Sequence, residues 1–187
     1  MVSVLSPYLV YDADAPSDRV KEAAERATRW ASEDMGFHAG RTFHKVGKLV
    51  VVQQGIDTKT RAPRLNVPRE PGEVVLAFFL GSLPGGNAWR FDRGGYISVA
   101  GGTLALAYNY DTMPTAAIKY QVRRYTTYLP VHELGHAALG LRHADEGVMS
   151  YMDLREWLTL PRRKGFSKSE RQTIGQQKWL RKRCAFR

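Results

Sequence analysis

HELGHAALGLRH, residues 132–143, is the stretch of this sequence that decides both its fold and its chemistry. His132 and His136 stand four residues apart, so a helix places both imidazoles on one face. A zinc ion binds such a pair, and Glu133 between them is placed to act on a water molecule at the metal. His143 adds a third imidazole, which together with a water completes a tetrahedral catalytic site. The stretch therefore predicts a zinc centre with Glu133 as its general base.

The stretch resembles the motif of the metzincin metallopeptidases, which is HExxHxxGxxH followed by a turn that contains methionine. VMSY at 148–151 supplies Met149 and, two residues later, Tyr151. The resemblance implies a zinc endopeptidase that holds one catalytic Zn²⁺ on the three histidines, with Glu133 as the base. It also implies a hydrophobic floor under the metal from Met149. The resemblance further implies that Tyr151 is a catalytic residue that donates a hydrogen bond to the developing oxyanion. The alternative interpretation is that Tyr151 is an aromatic residue of the core.

The spacing inside the motif departs from the family pattern by one residue. The family has two residues between its second histidine and its glycine, whereas residues 137–139 precede Gly140 here. An extra helical residue rotates the residues after it by about 100° and advances them by about 1.5 Å. We expect a π-bulge or a tightened last turn to absorb this residue, with Gly140 in a left-handed C-terminal turn. His143 is then the third ligand, and Asp145 is the alternative.

A second resemblance lies upstream, in AGGTLALAYN at 100–109. This segment resembles the edge strand of the matrixins, a metzincin group, on which substrate binds as an added β-strand. Leu106 stands where matrixins carry a histidine for a structural zinc, so we expect no second zinc site. The resemblance implies that substrate is bound by Gly102, Thr103, Leu104, Ala105 and Leu106.

Short apolar runs and alternating patterns predict the strands. They cover residues 7–14, 48–55, 73–80, 101–109 and 118–122.

Three helices are expected. The first runs from Ser17 to about Trp30, with a buried stripe of small and apolar residues. The motif helix begins near Thr126 or Thr127 and reaches about Leu139, because Pro130 is tolerated only in a first turn. The last begins at Ser167, where Ser167 and Glu170 make a capping box.

These elements predict an α+β fold in one domain over residues 1–187. In metzincin-like form it is a mixed twisted sheet with an edge substrate strand, a backing helix, an active-site helix and a C-terminal helix. Residues 1–140 hold the sheet and end with the active-site helix. Residues 141–187 form a smaller part with the methionine turn and a basic helix.

The formal net charge of the chain is +10, and most of the excess lies in residues 161–187. There, Glu170 is the one acid among ten basic residues. Such a block predicts contact with a polyanion; a solvated helix face is the alternative interpretation. Cys184 is the only cysteine, which excludes an internal disulfide and a cysteine-based metal site. The basic residues are Arg162, Arg163, Lys164, Lys168, Arg171, Lys178, Arg181, Lys182, Arg183 and Arg187.

Compartment and function stay open at the level of the sequence. No apolar run approaches the roughly 20 residues of a membrane span, so no membrane partner is expected. The first residues do not read as a signal peptide, which leaves the cell interior, or release by lysis or in a particle. The leading hypothesis is an endopeptidase acting on a peptide or protein. The alternatives are a non-catalytic structural or interaction protein on a metzincin scaffold, such as a phage particle component, and a protease recruited to nucleic acid.

Overall fold

A mixed β-sheet runs through the part of the chain that the computed structural model describes, residues 1–55, 65, 67–81, 85–145, 147–150 and 166–183. The α+β class is therefore confirmed. In chain order the elements are β1 (Val4–Tyr11), α1 (Asp18–Ala39), β2 (Arg41–Thr42), β3 (Lys45–Val46), β4 (Val50–Gln53), β5 (Glu73–Leu80), β6 (Gly86–Phe91), β7 (Gly94–Ala100), two 3-10 helices (Gly101–Leu104 and Ala107–Thr112), α2 (Ala116–Ala137), α3 (Lys168–Gln176) and β8 (Arg181–Lys182).

The sheet has the order β3-β1-β5-β7-β6, with β4 continuing the edge that β3 forms on β1. The strands β1, β5 and β7 are parallel, and β6 pairs antiparallel with β7. β5 lies in the centre, and all its residues except the two at its ends are buried. That burial explains its continuous apolar sequence, and its predicted bounds at 73–80 are confirmed. β6 ends the sheet and is the strand nearest to the histidines.

Helix α1 packs on the sheet through a stripe of alanines that are fully buried. Small side chains at this spacing let the helix backbone approach β1 and also leave room for α2. The helix begins after Ser17, as predicted, but continues past Trp30 until Gly40 takes a left-handed conformation with φ 66°. The stripe consists of Ala23, Ala24, Ala27 and Ala31.

The strand predicted at 101–109 is wrong, because this segment folds into the two 3-10 helices. The Thr103 hydroxyl donates to the carbonyl of Ala100 at 2.9 Å, and the amide of Ala105 donates to Gly102 at 3.1 Å. Both bonds span three residues and close turns that a strand cannot contain. The edge strand on which substrate was expected to bind, at Gly102–Leu106, is therefore not formed.

The strand predicted at 118–122 is also wrong, since these residues open α2. Thr115 caps the helix by accepting from the amide of Ile118 at 3.2 Å, well before the predicted start near Thr126. The helix runs through Pro130. A proline inside a helix costs about 3 kcal/mol, and here the packing of α2 against α1, β6 and β7 offsets that cost.

The remaining predicted elements differ in bounds or exposure, and β1 (Val4–Tyr11) begins and ends three residues before the strand predicted at 7–14. β4 falls within the predicted 48–55, but Val50 and Val51 are 40% and 37% exposed because the strand lies at the sheet edge. The capping box of Ser167 and Glu170 is confirmed at the start of α3. After α3 the chain returns to pair β8 with β2. Among the described residues, no helix is both long and apolar enough to cross a membrane.

Candidate metal centre

Three histidines meet at the C-terminal end of α2. The Nε2 atom of His136 lies 3.3 Å from Nε2 of His132 and 3.2 Å from Nε2 of His143, and the remaining pair is 3.2 Å apart. His132 and His136 share a face of the helix, and His143 reaches back from the segment after it. The three side chains lie close enough to hold one metal ion.

Backbone carbonyls fix the orientation of two of these rings. His132 donates from Nδ1 to the carbonyl of Val148 at 3.0 Å, and His136 donates from Nδ1 to the carbonyl of Leu141 at 2.8 Å. A carbonyl can only accept, so in both neutral rings the proton sits on Nδ1 and Nε2 keeps its lone pair. The lone pairs therefore point at one another across the cluster, an arrangement that repels unless a cation lies among them.

The size of the triangle fits a tetrahedral zinc ion. Three nitrogens bound at about 2.0–2.1 Å with tetrahedral angles lie about 3.3–3.4 Å apart. The observed separations of 3.2–3.3 Å agree with that value. Among the described residues, no fourth metal-ligating side chain joins the three histidines.

A widened turn absorbs the extra residue of the motif. The amide of Leu139 donates to the carbonyl of Leu134 at 3.3 Å, a bond of the π type, and that of Leu141 reaches back to Gly135 at 3.0 Å. Gly140 then takes the predicted left-handed conformation with φ 70°. The chain leaves the helix one residue late and still returns His143 to the other two histidines. Asp145, the alternative ligand, is outside the cluster.

Met149 packs against α2 at Gly135, the helix position just before His136. Its side chain is fully buried, and a Cβ added to Gly135 would overlap its sulfur. Because Gly135 has no side chain, the sulfur of Met149 can pack against the helix backbone. The carbonyl of Met149 accepts from the amide of Ala144 at 3.0 Å, which closes the turn that carries Val148 to His132.

Glu133 is 7% exposed, and its carboxyl lies beside the first residue of β6. A Cβ on Gly86 would come within 2.9 Å of its Oε1, so the strand approaches the carboxyl closely. Burial raises the pKa of Glu133 from its ordinary value to about 7. A carboxyl in that range can both take and return a proton near neutral pH.

Burial acts on the histidines in the opposite direction. It lowers the pKa of His132 to about 4, and the neighbouring His136 and His143 add to the shift. Desolvation, followed by the charge of His136, also lowers the pKa of His143. The folded protein therefore favours the neutral form of these two imidazoles, His132 and His143, which is the form that a metal ion binds.

The centre opens into a cleft of about 630 Å³. The edge strand β6 forms one wall through Gly86, Asn87, Ala88 and Arg90, and α2 forms the other. Residues 102–106, where substrate binding was expected, are not among the described residues that line this cleft.

Arg90 connects the cleft to the C-terminal part of the chain. Its guanidinium occupies the space next to Gly140 that a side chain there would fill. It donates from Nη2 to the amide oxygen of Gln177 at 3.1 Å, and Trp179 donates to the same oxygen at 3.2 Å. The widened turn is thus covered by a side chain from β6 that is held from the end of α3.

The sequence identified the three histidines, Glu133 and Met149 as residues of one site. It did not identify Arg90 or the strand β6. GNAWRF, at 86–91, has the alternation of a strand, but the glycines around it favoured turns. Tyr151 lies outside the described residues. Comparison of the sequence with models of protein families and with curated proteins gives no match.

Proposed function

We propose that the protein is a zinc-dependent endopeptidase. The observation that carries this proposal is the triangle of histidine nitrogens with the buried carboxyl of Glu133 beside it, at the floor of an open cleft. When bound, zinc would polarise the carbonyl of the scissile peptide and increase the acidity of a water molecule. The metzincin resemblance of the motif supports the same interpretation.

The positions of the side chains suggest their roles. His132, His136 and His143 would hold the metal through Nε2, with the carbonyls of Val148 and Leu141 orienting two of the rings. Glu133 would take a proton from the attacking water and return it to the leaving amine. Its pKa of about 7 suits both steps.

The outer edge of β6 is the natural place for an extended peptide. The carbonyl of Gly85, just before β6, accepts from the amide of Ala100 in β7 at 3.0 Å, so Gly85 and Ala100 form a hydrogen-bonded pair of the ladder. Because such pairs alternate in an antiparallel ladder, the N–H and C=O groups of Ala88 point away from β7. A substrate strand would pair with Ala88 and run along the wall of the cleft beside Glu133.

Cleavage of an unfolded protein tests the proposal. Zinc-loaded wild type should produce fragments, and Glu133→Gln should reduce their rate by about 10²–10⁴-fold, the contribution of a general base. The glutamine keeps the size of the side chain, so bound zinc and the thermal transition should match the wild type. Wild type that binds zinc and cleaves nothing in a broad peptide library would refute the proposal and leave the non-catalytic scaffold as the better hypothesis.

A further inference from the structure

A second cleft, which the metal chemistry does not use, lies between α1, β3 and the C-terminal strand β8. Its volume is about 790 Å³, and none of the described residues that line it also lines the metal cleft. Among the described residues that line it, Glu33 is the one acid, and it pairs with Arg123 at 3.0 Å. The basic side chains lining this basic cleft are Arg29, Lys45, Arg123, Arg181, Lys182 and Arg183.

The cations of β8 are held in place by the fold. Residues 181 and 182 pair with β2, and the amide of Arg183 donates to the carbonyl of Gly40 at 3.0 Å. Arg41 is buried and donates to the carbonyls of Leu180 and Gly175 at 3.2 and 3.0 Å. These bonds fix the backbone of residues 181–183 against the body. The positions of these cations along the cleft are therefore set before an anion binds, which lowers part of the entropy cost of binding.

An aromatic ring stands among these charges. Phe37 lines the cleft, is 41% exposed, and lies 4.2 Å below the guanidinium of Arg183. Arg183 covers one face of this ring, and the residue as a whole is partly exposed. A groove that combines cations with a partly exposed aromatic ring matches single-stranded nucleic acid, whose phosphates follow the charges while a base stacks against the ring and its guanidinium. An acidic protein would use the charges alone, and a duplex keeps its base faces stacked inside.

We propose that the basic cleft binds single-stranded nucleic acid without base specificity. The proposal is independent of the endopeptidase function, because different residues of the described part of the chain line the two clefts. Arg123 and His132 lie nine positions apart on α2, about 13 Å along the helix axis. Binding should therefore persist after zinc is removed with a chelator.

Fluorescence anisotropy with a labelled (dT)20 strand tests the proposal on the full chain. Arg181→Gln with Lys182→Gln should weaken binding roughly tenfold and reduce the salt slope by about 1.4, from two contacts at about 0.7 each. The matched control is Lys168→Gln with Arg171→Gln, which removes the same charge from exposed positions of α3 outside the cleft. This control should keep the affinity within about twofold.

The aromatic ring gives a second test that leaves the charge unchanged. Phe37→Ala should weaken binding by about fivefold or more, and Phe37→Tyr should restore it, because stacking needs only a ring face. If the double variant in β8 lowers the thermal transition, Lys45→Gln replaces it, since Lys45 lies in β3.

Four outcomes would overturn the proposal. They are absence of (dT)20 binding at low salt, equal loss in the α3 control, equal loss in the alanine and tyrosine variants, and equally tight binding of a matched duplex or of polyglutamate.

Discussion

Replacement of Gly140 by alanine tests whether the widened turn depends on Arg90. The left-handed conformation, with φ 70°, costs an alanine about 1–2 kcal/mol. The new methyl group would also displace the guanidinium of Arg90 and break its bond to Gln177. A hydrogen bond to a charged group contributes about 1.5–3 kcal/mol, and the partial exposure of Arg90 places this bond at the lower end. Gly140→Ala should therefore lower the free energy of unfolding by about 2.5–3.5 kcal/mol.

Urea denaturation of the metal-free protein, followed by circular dichroism, measures this value without a contribution from zinc. In the Arg90→Ala background, Gly140→Ala should cost only the backbone part, about 1–2 kcal/mol. Gly175→Ala is the control, because a Cβ there meets open space inside α3 and should stabilise by up to about 1 kcal/mol. Equal costs of Gly140→Ala in both backgrounds would refute the contact with the guanidinium, and a cost below about 0.5 kcal/mol would refute the whole argument.

Three further predictions concern the metal centre and the cleft. The purified chain should bind one zinc ion, detected by elemental analysis; His136→Ala should abolish binding, and zinc at about 1,000 times its Kd should stabilise the wild type by about 4 kcal/mol. Met149→Ala and Met35→Ala should each cost about 2–5 kcal/mol, since both side chains are buried, but only Met149→Ala should weaken zinc binding in a competition assay. Ala88→Pro removes the outward N–H and should raise KM for peptides, whereas Ala88→Ser keeps it and should not; equal KM values would argue against strand pairing on β6.

The parts of the site that the sequence predicted depend on local spacing. His132 and His136 share a helix face because they are four residues apart, whatever the rest of the chain does. The capping box at Ser167 is equally local, since its two bonds join residues three apart. The central strand at 73–80 was predicted because it is buried on both faces and so carries a continuous apolar run.

The wrong predictions concern segments whose structure depends on distant partners. Residues 101–109 consist of small and apolar types that fit a strand or a turn equally well, and no strand lies beside them to complete a ladder within the described part of the chain. β6 is a strand because β7 pairs with it, and β8 is a strand because β2 pairs with it across most of the chain length. In residues 118–122 the alternating pattern suggested a strand, while Ile118 and Val122 were also compatible with one helix face.

The third histidine shows how local and distant interactions combine. The sequence identifies His143 as a candidate ligand. An extra residue before Gly140 should, however, rotate His143 by about 100° away from His132 and His136. The backbone hydrogen bonds of Leu139 and Leu141 widen the last turn of α2, and this widening brings His143 back to the other two histidines. That turn is covered by Arg90, a residue of β6 that is anchored to Gln177. The identity of the candidate ligands is therefore a property of the motif, whereas their relative positions depend on contacts that join the turn to the edge strand and to the C-terminal segment.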